Sequence, residues 1–265
     1  MIELRHIGVI FHEGTALESQ IFSNLNLKID QGEVVTVIGG NGAGKSTLLK
    51  VIAGDVLPSE GQVLIEGQDV TSVPSHRRAA LVSRVFQDPR LGSCPALTIE
   101  ENMALALGRG QRPGLKLALT SQRRRLFKDL LAPLNLGLEN RLDLPMGLLS
   151  GGQRQTICLF MAVLAPSEIL VLDEHTAALD PKNSLAIIQL TQQLIQEKKL
   201  TVLMVTHSMH QALSLGHRTL MLNEGQIVLD LQGQERNTMT EKNLIELFKQ
   251  KIHNLYVEDE FLIND

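Results

Sequence analysis

Apolar and polar residues alternate from the first residues onward. Ile2 and Leu4 share a face with His6, and Gly8-Val9-Ile10-Phe11 continues the strand. Gly14-Thr15 marks a turn, after which Leu25, Leu27 and Ile29 fall on one face of a second strand spanning 21–29. Gln31-Gly32 breaks the pattern, and Glu33–Ile38 is a nearly continuous β-branched run, as in a parallel strand buried on both faces. A glycine-rich loop leads into Lys45–Ala53, where Leu48, Leu49 and Ile52 sit at helical spacing. Short strands are predicted over 61–66 and 80–86. From about Pro89 to Phe160 the chain turns helix-prone and rich in Leu, Ala and Arg, broken by Pro95, Pro113, Pro133 and Pro145. Strands return at 168–172 and 201–206, separated by a helix over 183–198. Asn223-Glu224-Gly225 joins a last strand pair, 219–222 and 226–229, as a hairpin. Thr240 is placed to cap a final helix with Leu244, Ile245, Leu247 and Phe248 on one side, and the acidic tail from Val257 to Asp265 is expected to fray. The whole predicts an α/β protein, a mainly parallel sheet interrupted by a helical insertion.

Composition narrows the function classes. Hydrophobic residues at 43% and charged residues at 20% fit a globular chain rather than a disordered one. Twenty-five Lys and Arg against 29 Asp and Glu leave a net charge of −4, so no nucleic-acid partner is expected. No apolar run approaches the ~18 residues of a membrane span. Met1–His6 lacks the features of a secretory signal. Cys94 and Cys158 form no metal-ligand spacing, as expected of a reduced cytosolic protein with two incidental thiols.

Two motifs carry chemistry. Gly39-Gly40-Asn41-Gly42-Ala43-Gly44-Lys45-Ser46 satisfies G-x-x-x-x-G-K-[ST] between a buried strand and a helix start. Glycines there let backbone N–H groups approach phosphate oxygens, and the helix adds its positive end. Lys45 would reach the β- and γ-phosphates and Ser46 would bind Mg²⁺. The competing reading is a glycine-rich turn that binds nothing. The strand Ile169–Leu172 ends in Asp173-Glu174, where α/β sheets place ligands. Asp173 suits Mg²⁺ and its waters, and Glu174 could polarise the water attacking the γ-phosphate. Alone, such an acidic pair is more often the start of a helix; beside the phosphate loop the functional reading is the favoured one. Between the two motifs, Leu149-Ser150-Gly151-Gly152-Gln153 reads either as a serine N-cap with turn glycines or as a second anion cradle.

On these residues the chain resembles the ABC-type ATPases, whose signature matches Leu149–Gln153, and the resemblance covers residues 2–230. It implies a P-loop ATPase core with a mainly parallel sheet, an N-terminal antiparallel β subdomain and an inserted α-helical subdomain. The implied boundaries are one ATPase domain over 1–235, its helical part about 89–160, and a C-terminal helical extension, 236–265. Gln87 is similar to a glutamine that senses Mg²⁺ and couples to the transport partner. Ala178-Leu179-Asp180 resembles the loop that crosses the dimer interface, and His207 the switch histidine that contacts the γ-phosphate. Phe11 stands where the family stacks an aromatic on adenine, and equally could be core. Asp180, before Pro181, reads equally as a helix start. His175 departs from the family pattern, which commonly has proline there, so the turn after Glu174 is expected to differ.

The resemblance therefore implies ATP and Mg²⁺ as cofactors. Catalysis falls to Glu174, His207, Lys45 and Gln87, and the metal to Ser46, Gln87 and Asp173. Nucleotide contacts fall to Phe11, Gly39, Asn41, Gly42, Ala43, Gly44, Lys45, Ser46 and Thr47, and across a dimer to Ser150, Gly151, Gly152, Gln153 and Asp180. Implied partners are a second ATPase subunit, a homodimer, and an integral-membrane permease, with a substrate-binding protein acting indirectly. The location is then cytoplasmic, at the inner face of the membrane. The wording of 84–89, 98–102 and 173–180 resembles bacterial importers of aromatic amino acids. An alternative is an ABC-type ATPase without a permease, such as a cluster-assembly ATPase. A non-hydrolysing scaffold is disfavoured by intact Glu174 and His207. The remaining histidines, His6, His12, His76, His175, His210, His217 and His253, are read as structural. Arg123-Arg124-Arg125, with Arg109, Arg112 and Lys116, is read as a solvated face.

Overall fold

The computed structural model describes residues 1–111, 117–177 and 179–262. Arg112, Pro113, Lys116, Ala178, the last three residues and the side chain of His253 lie outside the described residues. In chain order the elements are β1 (Ile2–Phe11), β2 (Ser19–Ile29), β3 (Val34–Gly39), α1 (Lys45–Ala53), β4 (Glu60–Ile65), β5 (Gln68–Asp69), α2 (Ser75–Arg78) and β6 (Val82–Val85). There follow α3 (Ile99–Leu107), α4 (Ser121–Leu131), α5 (Gly151–Leu164), β7 (Ile169–Asp173) and α6 (Pro181–Lys198). The chain ends with β8 (Thr201–Val205), α7 (Met209–Ser214), β9 (Arg218–Asn223), β10 (Gln226–Gln232), α8 (Gly233–Asn237) and α9 (Glu241–Leu262). They fall into two compact units, Met1–Pro74 with Leu200–Asp265, and Ser75–Lys199.

In the first unit β2, β1, β4 and β5 form an antiparallel sheet in that order. Beside it β3 takes β8 on one edge and β9 on the other, both parallel, and β10 closes antiparallel on β9. Val34 to Ile38 are all buried, as their nearly continuous β-branched run requires, and the Thr36 hydroxyl among them is paired with Thr219 at 2.9 Å. Each buried Val or Ile side chain contributes about 1.5–3 kcal/mol on leaving water. Arg236 is buried beneath this sheet's end, where it donates to the carbonyls of Ala212, Leu213 and Leu215 at the end of α7. Thr240 does cap α9, accepting from the Asn243 N–H at 3.2 Å. Leu244 is buried in a cluster with Met221 and Ala212, joined by Leu247 and Phe248. Ile245 departs from the expected face: one residue is a ~100° turn of helix, and the side chain is exposed. Helix α9 runs to Leu262, into the tail that is expected to fray.

In the second unit β6 and β7 pair in parallel, Arg84 opposite Val171. Prolines shape the helical part as expected. Pro133 sits in a single 3₁₀ turn, Pro145 bridges Thr98, and the Pro95 carbonyl accepts from Gly147. Thr98 and Glu101 form a capping box on α3, and Asn102 behind them binds Cys94, Leu97 and Thr98 backbone, fastening the preceding loop. Arg124 and Arg125 are exposed. Arg109 is not part of a solvated face: its guanidinium is part-buried and donates to the Ala162 and Ala165 carbonyls at 2.8 and 3.1 Å. It covers the C-terminal end of α5, where cations and donors are favoured, and burial lowers its pKa. Cys94 is exposed and Cys158 buried, and both thiols are free. Among the described residues no helix is long and apolar enough to cross a membrane.

Candidate nucleotide site

The phosphate loop leaves β3 at Gly39 and enters α1 at Lys45, within the first unit. Gly44, the residue before the helix, has φ +99°, and a Cβ there would lie 2.8 Å from the Phe22 ring and 3.3 Å from Leu222. Gly42 is also left-handed, at φ +80°, but faces open space. The loop thus needs glycine at Gly44 for two reasons, dihedral and contact, and at Gly42 for one. No side chain caps the start of α1, the helix end whose dipole favours an anion. The Lys45 ammonium folds over the loop, donating to the carbonyls of Gly39 and Gly40 at 3.0 and 2.8 Å. Ser46 is exposed at the same helix end, Thr47 is half-buried, and Asn41 is exposed on the loop. Phe11 is half-buried at the last position of β1, opposite Ser19.

His207 also belongs to this unit. It is exposed in the turn between β8 and α7, where the Thr206 N–H donates to the Val37 carbonyl and Ser208 is the N-cap of α7. Thr206 and Gln211 tie the two sides of this turn together at 2.9 Å.

The second unit carries the remaining residues. At the end of β7, Asp173 accepts from Arg84 at 3.0 Å, the two side chains 13% and 11% exposed. The Arg84 guanidinium also lies 4.5 Å above the Phe86 ring, a cation–π contact. Glu174 accepts from the Gln87 side-chain amide at 3.1 Å, so these two expected residues are brought together. Glu174 has φ +43°, a left-handed conformation costing about 1–2 kcal/mol for a residue with a Cβ. Next to it His175 is 2% exposed and pairs with Thr191 of α6. Burial depresses its pKa from 6.5 to about 4. This gives the departure from proline a structural role.

Ser150 is the N-cap of α5 and forms a reciprocal box with Gln153, at 3.3 and 3.2 Å. The cap uses the serine oxygen as acceptor and leaves its hydroxyl proton able to donate. A Cβ on Gly151 would meet nothing within 4 Å, whereas one on Gly152 would lie 3.0 Å from Asn183. Asp180 caps α6, with Pro181 at the first helical position, and the Asn183 N–H it accepts lowers its pKa. Sequence reading missed Arg84 and Gln155. Gln155 donates to the Phe86 carbonyl at 3.2 Å and so fixes the strand end before Gln87. Neither has a local pattern, since each partner lies far along the chain.

The family model described as ABC transporter matches residues 22–177. The chain is 42% identical over 249 residues to the tyrosine transport ATP-binding protein of Clostridioides difficile (strain R20291), covering 94% of this chain and 99% of that one. It is 35% identical over 227 residues to the thiamine import ATP-binding protein ThiQ of Escherichia coli (strain K12), covering 86% and 90%. A dimeric, post-hydrolysis structure of the ATP-binding cassette MJ0796 bound to ADP and Pi aligns with a TM-score of 0.74 at 29% identity, covering 88% of this chain and 98% of that one. The chain belongs to the ABC transporter family, as an ATPase with the ABC ATP-binding fold.

Proposed function

We propose that this chain is the motor subunit of an importer, in which ATP-driven closure of a dimer works on a separate membrane permease. The observation that carries the reading is the 42% identity across nearly the whole of both chains to a tyrosine transport ATP-binding protein. An amino acid is therefore the favoured cargo, with thiamine the competing reading from the more distant relatives. We place the ATPase domain over 1–235 and treat 236–265 as an extension of it.

In this reading Gly39, Asn41, Gly42, Ala43, Gly44, Lys45, Ser46 and Thr47 take the phosphates through backbone N–H groups and the lysine ammonium, and Phe11 stacks on the adenine. The Ser46 hydroxyl, the Asp173 carboxylate and the Gln87 amide are hard oxygen donors that suit Mg²⁺, which when bound offsets charge on the β- and γ-phosphates. Among the described residues no three His, Cys, Asp or Glu gather as a metal cluster, and an ion held largely by phosphates and water requires none. Glu174 polarises the attacking water, oriented by Gln87, and His207 contacts the γ-phosphate. A second copy supplies Ser150, Gly151, Gly152, Gln153 and Asp180, so each nucleotide is held by both chains. Closure is driven because the γ-phosphate binds the closed state more tightly than the open one. The chain then works at the inner face of the cell membrane.

The test is a pull-down of tagged Glu174→Gln chain from native membranes in detergent with Mg-ATP, read by mass spectrometry. A stoichiometric multi-span protein is expected. Recovery of soluble partners alone, with the ATP-dependent dimer intact, would overturn the permease and favour an ATPase of the cluster-assembly type.

A further inference from the structure

We propose that His175 is a positioning residue for Glu174: its buried imidazole pegs the turn after β7 to Thr191 of α6 and so fixes the backbone from which Glu174 projects. The inference rests on the reading of Glu174 as the residue that polarises the attacking water.

Thr191 is fully buried, and its one hydroxyl proton is committed to the Ile187 carbonyl at 2.7 Å. Its oxygen can therefore only accept from His175, whose Nε2 lies 3.1 Å away. Nε2 therefore carries a proton and donates, and the acceptor is locked by its own helix. The turn itself needs such a hold. Glu174 is left-handed at φ +43°, a conformation that persists only where the surroundings over-determine it. Its carbonyl accepts from Ala177 at 2.9 Å, and Leu179 bonds Thr176 at 3.3 Å. The segment then ends at Asp180, the cap of the same helix that carries Thr191. Glu174 is therefore held from β7 before it, from Asp180 after it, and from His175 beside it. A proline at 175 could not reach Thr191, and it would push residue 174 towards extended φ/ψ.

The experiment combines backbone amide exchange without nucleotide and Mg-ATP turnover in Thr191→Val, His175→Leu, His175→Gln and Glu174→Gln. Thr191→Val is close to isosteric, so it carries the test if His175→Leu does not fold. Exchange at Ala177 and Leu179 should quicken at least tenfold in Thr191→Val and His175→Leu. In both, kcat should fall at least tenfold while KM for ATP stays within twofold. His175→Gln, which keeps a donor, should recover part of both effects. The proposal is overturned by wild-type exchange and kcat in Thr191→Val. It is equally overturned by exchange that quickens throughout the unit with KM moving as far as kcat, since that is general loosening. If Glu174→Gln is inactive while Thr191→Val matches wild type, only the peg falls. If Glu174→Gln turns over normally, the reading of Glu174 falls and the peg with it.

Discussion

Substituting alanine for Gly44 perturbs the phosphate loop in two separable ways. The backbone is at φ +99°, where a Cβ costs about 1–2 kcal/mol. The new methyl would also stand 2.8 Å from the Phe22 ring, which is 1% exposed and cannot swing away. Overpacking of that kind costs about 1–3 kcal/mol. The sum is about 2–5 kcal/mol. Gly42→Ala isolates the first contribution, because its φ is +80° but nothing lies within 4 Å of the added methyl. Urea denaturation of the nucleotide-free chain should therefore show Gly44→Ala losing about 1–3 kcal/mol more than Gly42→Ala. Phe22→Leu introduced into Gly44→Ala should recover part of the difference by opening space. Fluorescent ATP-analogue binding should weaken more in Gly44→Ala, because relief of the overlap displaces the N–H groups at the start of α1. Equal losses in the two single variants, or no recovery with Phe22→Leu, would refute the contact argument.

Other substitutions probe the second unit. His175 is neutral in both states above pH 6.5; below it the unfolded chain takes a proton that the folded chain refuses until about pH 4. Stability is therefore lost as pH falls through that window, by up to about 3 kcal/mol at 1.36 kcal/mol per pH unit, and His175→Gln should lack that part of the slope in denaturation curves from pH 4 to 8. Arg84→Met leaves the Asp173 carboxylate little exposed and without this partner, so the apo protein should lose about 2 kcal/mol in urea, and Arg84→Lys less. Gly152→Ala should cost about 1–2 kcal/mol through Asn183, a loss that Asn183→Gly relieves. Gly151→Ala, facing open space, should change stability by less than ~0.5 kcal/mol, so a fall in its turnover would reflect the proposed nucleotide contact rather than folding.

Much of this was legible in the chain because local chemistry decides it. Helix α1 begins and ends where read, since Gly44 and Gly54 bracket it in left-handed conformations. The buried run of β3, the Asn223-Glu224-Gly225 hairpin and the Asp180-Pro181 helix start depend only on neighbours. Helices α7 and α8 were not anticipated: at six and five residues they are too short to show a period. Ile245 falls on the exposed side because four apolar residues within five positions do not define one stripe. Arg109 read as surface because a buried arginine over a helix end looks, in sequence, like any other charge. At the site, motif residues were identifiable, but what holds them was not. Arg84 meets Asp173 across 89 residues and Gln155 meets Phe86 across 69, pairings that only the folded chain reveals.

The most direct test of the motor reading is the assembly state and turnover of wild-type and Glu174→Gln chains in Mg-ATP and Mg-ADP. Light scattering coupled to size exclusion should find Glu174→Gln dimeric in ATP and monomeric in ADP, with turnover at least a hundredfold below wild type. A variant that stays monomeric in ATP, or hydrolyses it at the wild-type rate, would contradict the account.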